Sequence, residues 1–446
     1  MATTQYTGAN LTRTWQNRPE MKTAVWVNRR HRRWLRALLI VPLLSFIMAP
    51  EEWARNGPLL PLLPRLVAGA QTEGAPIARI PSPTLEGQIE DALAKGNPDT
   101  ARTLVPMFLA EPKVSADALL RIGVDFAQHD LFPEAADVFG RCVTDYPGLF
   151  EGSYNLALAD LALRKYPAAL ATIQKAPRAS RPQEVARTYL RGKIELALGQ
   201  NAEGEQDLAA AFAAAPQEEN YALDLGLDYI RARKYQPAEE VFEKAGSFQK
   251  DSPFILLGLS LARLLGGQNA QAIATCHAVL ALHPDFSPAR VLLAFALTMQ
   301  GNVDEAVQVA SQGLSDPDPF PYLYYIHAAA LLKQQSKDYQ VILRDLALAE
   351  RSIPTCSLCY LAQSKAHQRM GDRAAATADL ENAVRLDSAL AEAWYRLASL
   401  YDQEGRNAEA QQARRRFEQL KENKADRDME MLRDVFLKTL DDEGAP

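Results

Sequence analysis

Between Ala391 and Leu420 the chain carries its clearest pattern of apolar and polar positions. Trp394, Leu397, Ala398 and Tyr401 stand at offsets 0, 3, 4 and 7, which places all four on one face of a helix. Glu404-Gly405-Arg406-Asn407 interrupts that pattern. A second helical stretch follows, with small Ala410 and then Phe417 on its inner side. Two helices of this size cannot bury their apolar faces alone, so the pattern predicts neighbours to stack on. Long alternating β-branched runs are scarce, and almost no sheet is expected.

The neighbours are in the sequence. Stepping back from Ala410 finds Ala376, Ile342, Ala306, Ala272, Ala238, Gly204, Ala169, Ala135 and Ala101, spaced 34, 34, 36, 34, 34, 34, 35, 34 and 34. Four positions further on stand Phe139 and Phe242 in two copies, with Ile173, Leu208, Leu346 and Leu380 in others. Pro147, Pro216, Pro284 and Pro354 close four of the units. A W-x2-L-A-x2-Y stripe followed by a small Ala, in a unit of about 34 residues, resembles the tetratricopeptide repeat. The resemblance implies an all-α, right-handed superhelical solenoid of helix–turn–helix repeats. It has nine copies over residues 116–420, a degenerate helix pair at 84–115 and a C-terminal capping helix at 421–446. It also gives the small residue a reason, since the second helix crosses closest to the first there. Ile342 breaks that rule, in the copy with the longest spacing.

A period held over three hundred residues overrides the two or three compact domains that 446 residues would otherwise suggest. After Leu420, Met429, Leu432, Val435 and Phe436 form an apolar stripe beneath a strongly charged remainder. A terminal helix needs such a stripe, with one face for the last repeat and one for water. The segment Asp316 to Pro321 holds three prolines and predicts a kink in the stack.

Charge changes the picture at the N-terminus. Residues 1–36 hold eight Lys/Arg and one acid, so a net charge of −6 leaves about −13 on the rest. An acidic array is a poor nucleic-acid binder, and no nucleic-acid partner is expected. The basic leader (1–36) precedes an uncharged apolar run from Ala37 to Pro50, of signal-peptide length and shorter than a spanning helix requires. Within the segment 37–70, Ala68-Gly69-Ala70 offers a cleavage site, and a linker of Gly and prolines follows at 71–83. Export is expected, with the repeats periplasmic or held at the inner membrane through residues 37–50. If the leader is not a signal, the chain is cytoplasmic.

Chemistry has few places to sit. Cys356 and Cys359 open a helix at i, i+3 spacing, so a local disulfide is one reading in an oxidising compartment. A thiol redox enzyme is the remote alternative, lacking the strand that precedes such a motif. Cys142 and Cys276 read as buried, inert thiols. His283-Pro284-Asp285 mimics a co-chaperone tripeptide, but its place marks a repeat-closing turn. Gly258-Leu259-Ser260-Leu261-Ala262 approaches a hydrolase motif mid-helix, without the strand-to-helix elbow it needs. No catalytic residue, cofactor or metal site is expected.

The resemblance implies that partners lie in a concave groove made by the first helices, at the fifth and ninth position of each copy. Here those positions include Tyr154 and Leu158, Tyr189 and Lys193, Leu227, Leu257 and Leu261, Phe295, and Tyr395. They predict an apolar trough with tyrosines toward one end, the kind of surface that marks an interaction site. No fifth position is Lys, which argues against clamping of a C-terminal carboxylate and for an apolar extended or helical segment. The expected function is a non-enzymatic protein–protein interaction scaffold of the bacterial envelope. The alternative is an envelope assembly or export accessory that binds secreted protein or polysaccharide directly.

Overall fold

The computed structural model describes residues 84–178, 180–316, 319–353, 355–420 and 427–443; the leader, apolar run and linker expected over 1–83 lie outside the described residues. Those described form helices and no strand. The first ten helices are α1 Leu85–Ala94, α2 Pro98–Ala110, α3 Ala116–Gln128, α4 Phe132–Asp145, α5 Phe150–Ala162, α6 Tyr166–Lys175, α7 Arg181–Ala197, α8 Asn201–Ala214, α9 Glu219–Arg231 and α10 Tyr235–Gly246. The next ten are α11 Pro253–Leu265, α12 Asn269–Leu282, α13 Ser287–Gln300, α14 Val303–Gly313, α15 Tyr322–Lys333, α16 Tyr339–Ser352, α17 Ser357–Met370, α18 Arg373–Leu386, α19 Ala391–Gln403 and α20 Asn407–Leu420. A last helix, α21, spans Arg427–Glu443. Odd-numbered first helices alternate with even-numbered second helices, giving an all-α solenoid of paired helices followed by a terminal helix.

Local sequence sets where each helix starts. Asn97 caps α2 from its side chain, with Pro98 in the first turn where a missing N–H costs little. Ser115, Ser252, Asp338 and Asp372 accept from the backbone N–H three residues on and so cap α3, α11, α16 and α18. Ser180 and Gln183 form a reciprocal capping box at α7. Each turn between partner helices holds one residue in left-handed conformation: Gly96, Asp130, Arg164, Gly199, Arg233, Gly267, Gly301, Gln335, Gly371 and Gly405. Glycine fills that conformation at no steric cost, whereas the other four residues do not.

The periodic small residues sit where the helices meet. Ala101, Ala135, Ala169, Ala238, Ala272, Ala306, Ala376 and Ala410 are at most 1% exposed, and the exceptional Ile342 is fully buried as well. Gly204 lies so near α7 that a Cβ there would stand 2.8 Å from the carbonyl oxygen of Gly192. The aromatic four residues after the small one has its own receptor. A Cβ at Gly226 or Gly258 would fall 2.3 Å or 2.6 Å from the Phe242 ring, so glycines of α9 and α11 make room for one side chain of α10.

The chain forms two compact units; the second runs from Gly226 in α9 to Thr439 in the last helix, and the described residues on either side belong to the first. In the first, an unbroken core runs from Ile89 of α1 to Ile194 of α7. In the second, α11 and α13 are apolar around most of their circumference and largely buried, as expected of core helices. Part of the kink expected at Asp316 to Pro321 lies outside the described residues. Beside it Arg290 pairs with Asp316 at 2.5 Å, and Phe320 stacks on Phe436 of α21 at 6.3 Å between ring centres. Other contacts of α21 are with Tyr325 of α15 and with Arg233 in the turn after α9.

Candidate functional site

The expected groove residues divide into three groups. In the first unit, Tyr154, Tyr189 and Lys193 come together, and two residues of α9 that the sequence pattern did not single out complete the cluster. The Tyr189 ring packs on Tyr221 at 4.2 Å between centres. Asp224 accepts from the Tyr189 hydroxyl and, at 2.8 Å, from Lys193 Nζ. Burial, then Asp224, pushes the Tyr189 hydroxyl well above its usual range; burial and Tyr221 do the same to Tyr154. Leu158 is buried beside them in sequence on α5. Lys193 is nearly inaccessible, and a buried ammonium requires a carboxylate partner. That requirement is the signal by which Asp224, 31 residues on, was findable. Tyr189, Lys193 and Asp224 are engaged with each other, so the cluster braces α7 against α9.

The second group is covered. Leu227, Leu257 and Leu261 are 2%, 1% and 0% exposed, so they do not line an open trough. Their helices bury apolar side chains on more than one face, and the fifth and ninth positions of these copies pack inside the second unit. Tyr395 departs the other way: it is 61% exposed, with its ring against Phe417 at 5.4 Å.

The third group forms an actual recess. Phe295, together with Leu361 and Lys365 of α17, lines a cleft of about 590 Å³ within the second unit. Its apolar floor includes Leu358, Ile326 and Leu390, and its charged groups are Lys333, Lys365, Arg369, Arg396, Glu392 and Asp428. Four cations therefore face two acids. Lys365 Nζ and Arg396 Nε hold Glu392 at 3.0 Å and 2.8 Å. Burial works against ionisation of Glu392, but Lys365 and then Arg396 outweigh it and keep the carboxyl below its usual range. Arg369 donates to the Leu332 carbonyl at 2.7 Å and Lys333 to that of Thr298, which fixes both stems along the wall. Tyr325 and Asp428 meet at the edge, where the phenol donates to the carboxylate. The 36-residue spacing at Ile342 obscures the register of α15, so Tyr325 and Lys333 were not legible as groove residues.

Outside the cleft, Cys356 and Cys359 are bonded sulfur to sulfur and buried at the start of α17. Burial pushes the thiols of Cys142 and Cys276 up to about 11 and about 12, which leaves them inert at neutral pH. His283 lies between α12 and α13, its ring on the Asp251 carbonyl at 2.8 Å. Ser260 bonds back to the Leu256 carbonyl inside α11. One constellation invites a catalytic reading: Ser311 Oγ stands 3.0 Å from His327 Nε2, and His327 Nδ1 stands 2.6 Å from Asp345. Geometry of the base and its orienter is not sufficient. Ser311 lies within α14, where neighbouring N–H groups are committed to the helix and cannot form an oxyanion hole. Asp345 is shared with Arg344, at 2.9 and 3.1 Å. The network ties three helices together across a buried core. Among the described residues, no group of three or more His, Cys, Asp or Glu could hold a metal ion, and no helix is long and apolar enough to cross a membrane.

Two family models described as tetratricopeptide repeat match residues 263–330 and 361–423. No curated protein sequence matches the chain. Among solved structures, a tetratricopeptide repeat protein from Parabacteroides merdae is 17% identical, with TM-score 0.43, over 56% of this chain and 98% of that one. The C-terminal part of a TPR repeat-containing protein from Cytophaga hutchinsonii is 18% identical, with TM-score 0.39, over 61% and 97%. The human IFIT1 dimer with PPP-AAAA is also 18% identical, with TM-score 0.39, over 75% and 82%.

Proposed function

We propose that this chain, whose residues 263–330 and 361–423 are tetratricopeptide repeats, is a non-enzymatic interaction scaffold that holds a segment of a partner protein against its first helices outside the cytoplasm. The observation that carries the reading is the cleft lined by Phe295, Leu361 and Lys365, apolar at its floor and rimmed by an excess of cations. Such a recess suits an apolar segment bearing carboxylates: the floor supplies area, and the rim supplies register and specificity. Two features support export. A basic flank at Arg29 to Arg36 precedes the apolar run Ala37 to Pro50, and the Cys356–Cys359 bond belongs to an oxidising compartment.

Capture from membranes of the native host tests both halves. The Lys365→Glu variant reverses charge at the rim and is expected to reduce recovery of the dominant partner about five- to tenfold with unchanged helicity. Equal recovery by the variant and the unaltered chain would remove the cleft from the reading. Mass spectrometry of the captured bait reads its N-terminus. A start beyond the apolar run, or an intact run in the membrane fraction, agrees with export, and an intact chain confined to the cytosol refutes it.

A further inference from the structure

The apolar trough expected on α9, α11 and α13 is buried, and the terminal helix α21 has contacts at both ends of that stretch. At one end Arg233, in the turn following α9, donates to Glu430 at 2.9 Å. At the other, Tyr325 of α15 donates to Asp428, and Phe320 stacks on Phe436. Leu257 and Leu261 of α11 and Phe295 of α13 belong to the intervening first helices. On α21 the stripe residues Leu432 and Phe436 are fully buried, while Asp434 on the far side is exposed. Arg233 adds a further indication. It holds the left-handed turn position that six of the ten turns give to glycine, and its side chain pairs with α21. Asp428 itself borders the cationic cleft.

We propose that α21 is the resident occupant of the groove in the second unit. The external partner is then an amphipathic helix of the same chemistry, with carboxylates in its first turn and an aromatic residue eight positions after the first of them. It displaces α21 to bind. This rests on the scaffold reading above and names both the class of partner and the competitor it meets. Carboxylates at the N-terminal turn favour the helix itself, and here Asp428 also accepts from the Tyr325 hydroxyl at the edge of the cleft while Glu430 accepts from Arg233. Occupation in cis lowers apparent affinity for an external helix by the fraction of chains whose groove is free.

The test uses the full chain and a fluorescent peptide corresponding to residues 427–443. In the L432D/F436D variant α21 cannot keep its buried stripe. The peptide is expected to bind this variant at least about tenfold more tightly than the unaltered chain. Adding Tyr325→Phe to the variant is expected to weaken the peptide severalfold, a loss that general unfolding would not confine to one hydroxyl. Circular dichroism establishes that the array remains folded. Should the double variant unfold, a protease site placed between Leu420 and Arg427 of the unaltered chain replaces it, and exchange of labelled peptide into the cut chain is measured. Equal binding before and after release, or no binding to a folded released chain, overturns the proposal. Concentration-dependent dimers that exchange α21 between copies would also overturn occupation in cis. The scaffold reading is judged separately. If Lys365→Glu abolishes partner capture while the released chain ignores the peptide, only the inference about α21 fails. If the peptide binds while capture is indifferent to the cleft, the scaffold reading fails.

Discussion

Gly258 and Gln335 show how single side chains set this structure, one by being absent and one by being out of place. Phe242 enters a space that exists only because Gly226 and Gly258 have no Cβ. Gly258→Ala forces the ring and two helices apart and is expected to cost about 1–3 kcal/mol, read as a lower urea midpoint at unchanged slope. An unchanged midpoint would mean that the ring has room the structure does not show. Gln335 holds a left-handed turn, φ 63°, that six other turns assign to glycine. Gln335→Gly is expected to raise stability by about 1 kcal/mol in the same assay, since a side chain in this conformation is strained by about that amount. A lower midpoint would mean that the glutamine makes compensating contacts. Half of this was legible in the sequence. The alanines recur because only a small group fits a crossing, and crossing distance repeats with the fold. The left-handed Asp130, Arg164, Arg233 and Gln335 share no chemistry, so only alignment with the glycine turns would have exposed them.

At the scale of the element, periodicity specified the helix pairs and said less about which faces stay open. α11 reads Pro-Phe-Ile-Leu-Leu-Gly-Leu-Ser-Leu-Ala-Arg-Leu-Leu, apolar around most of its turn. A helix of that kind is covered, and Leu257 and Leu261 follow it into the core. α17 alternates Leu361 with Lys365 and Arg369 on one side, and that mixture leaves a wall which can border a recess. The stripe of α21 was plain from its spacing. Its seat was not, because an amphipathic helix specifies that one face is buried and leaves the receiving surface open. Arg233, Phe320 and Tyr325 supply that surface through contacts more than a hundred residues apart in sequence, beyond any local pattern.

For the whole molecule, repetition of one helix pair makes stability and recognition separable. Each pair is closed on itself at its small-residue crossing and joined to the next by side chains such as Phe242, so the stack carries stability locally. In the proposed function, recognition belongs to the first helices that border the cleft, where the 34-residue period gives way to individual residues such as Lys365 and Arg396. Hydrogen–deuterium exchange on the full chain, with and without its captured partner, tests this most directly. The account predicts added protection on the first helices α13, α15, α17 and α19, little change on α14, α16, α18 and α20, and faster exchange in α21 as it is displaced. Protection confined to the second helices, or spread evenly over the chain, would contradict it.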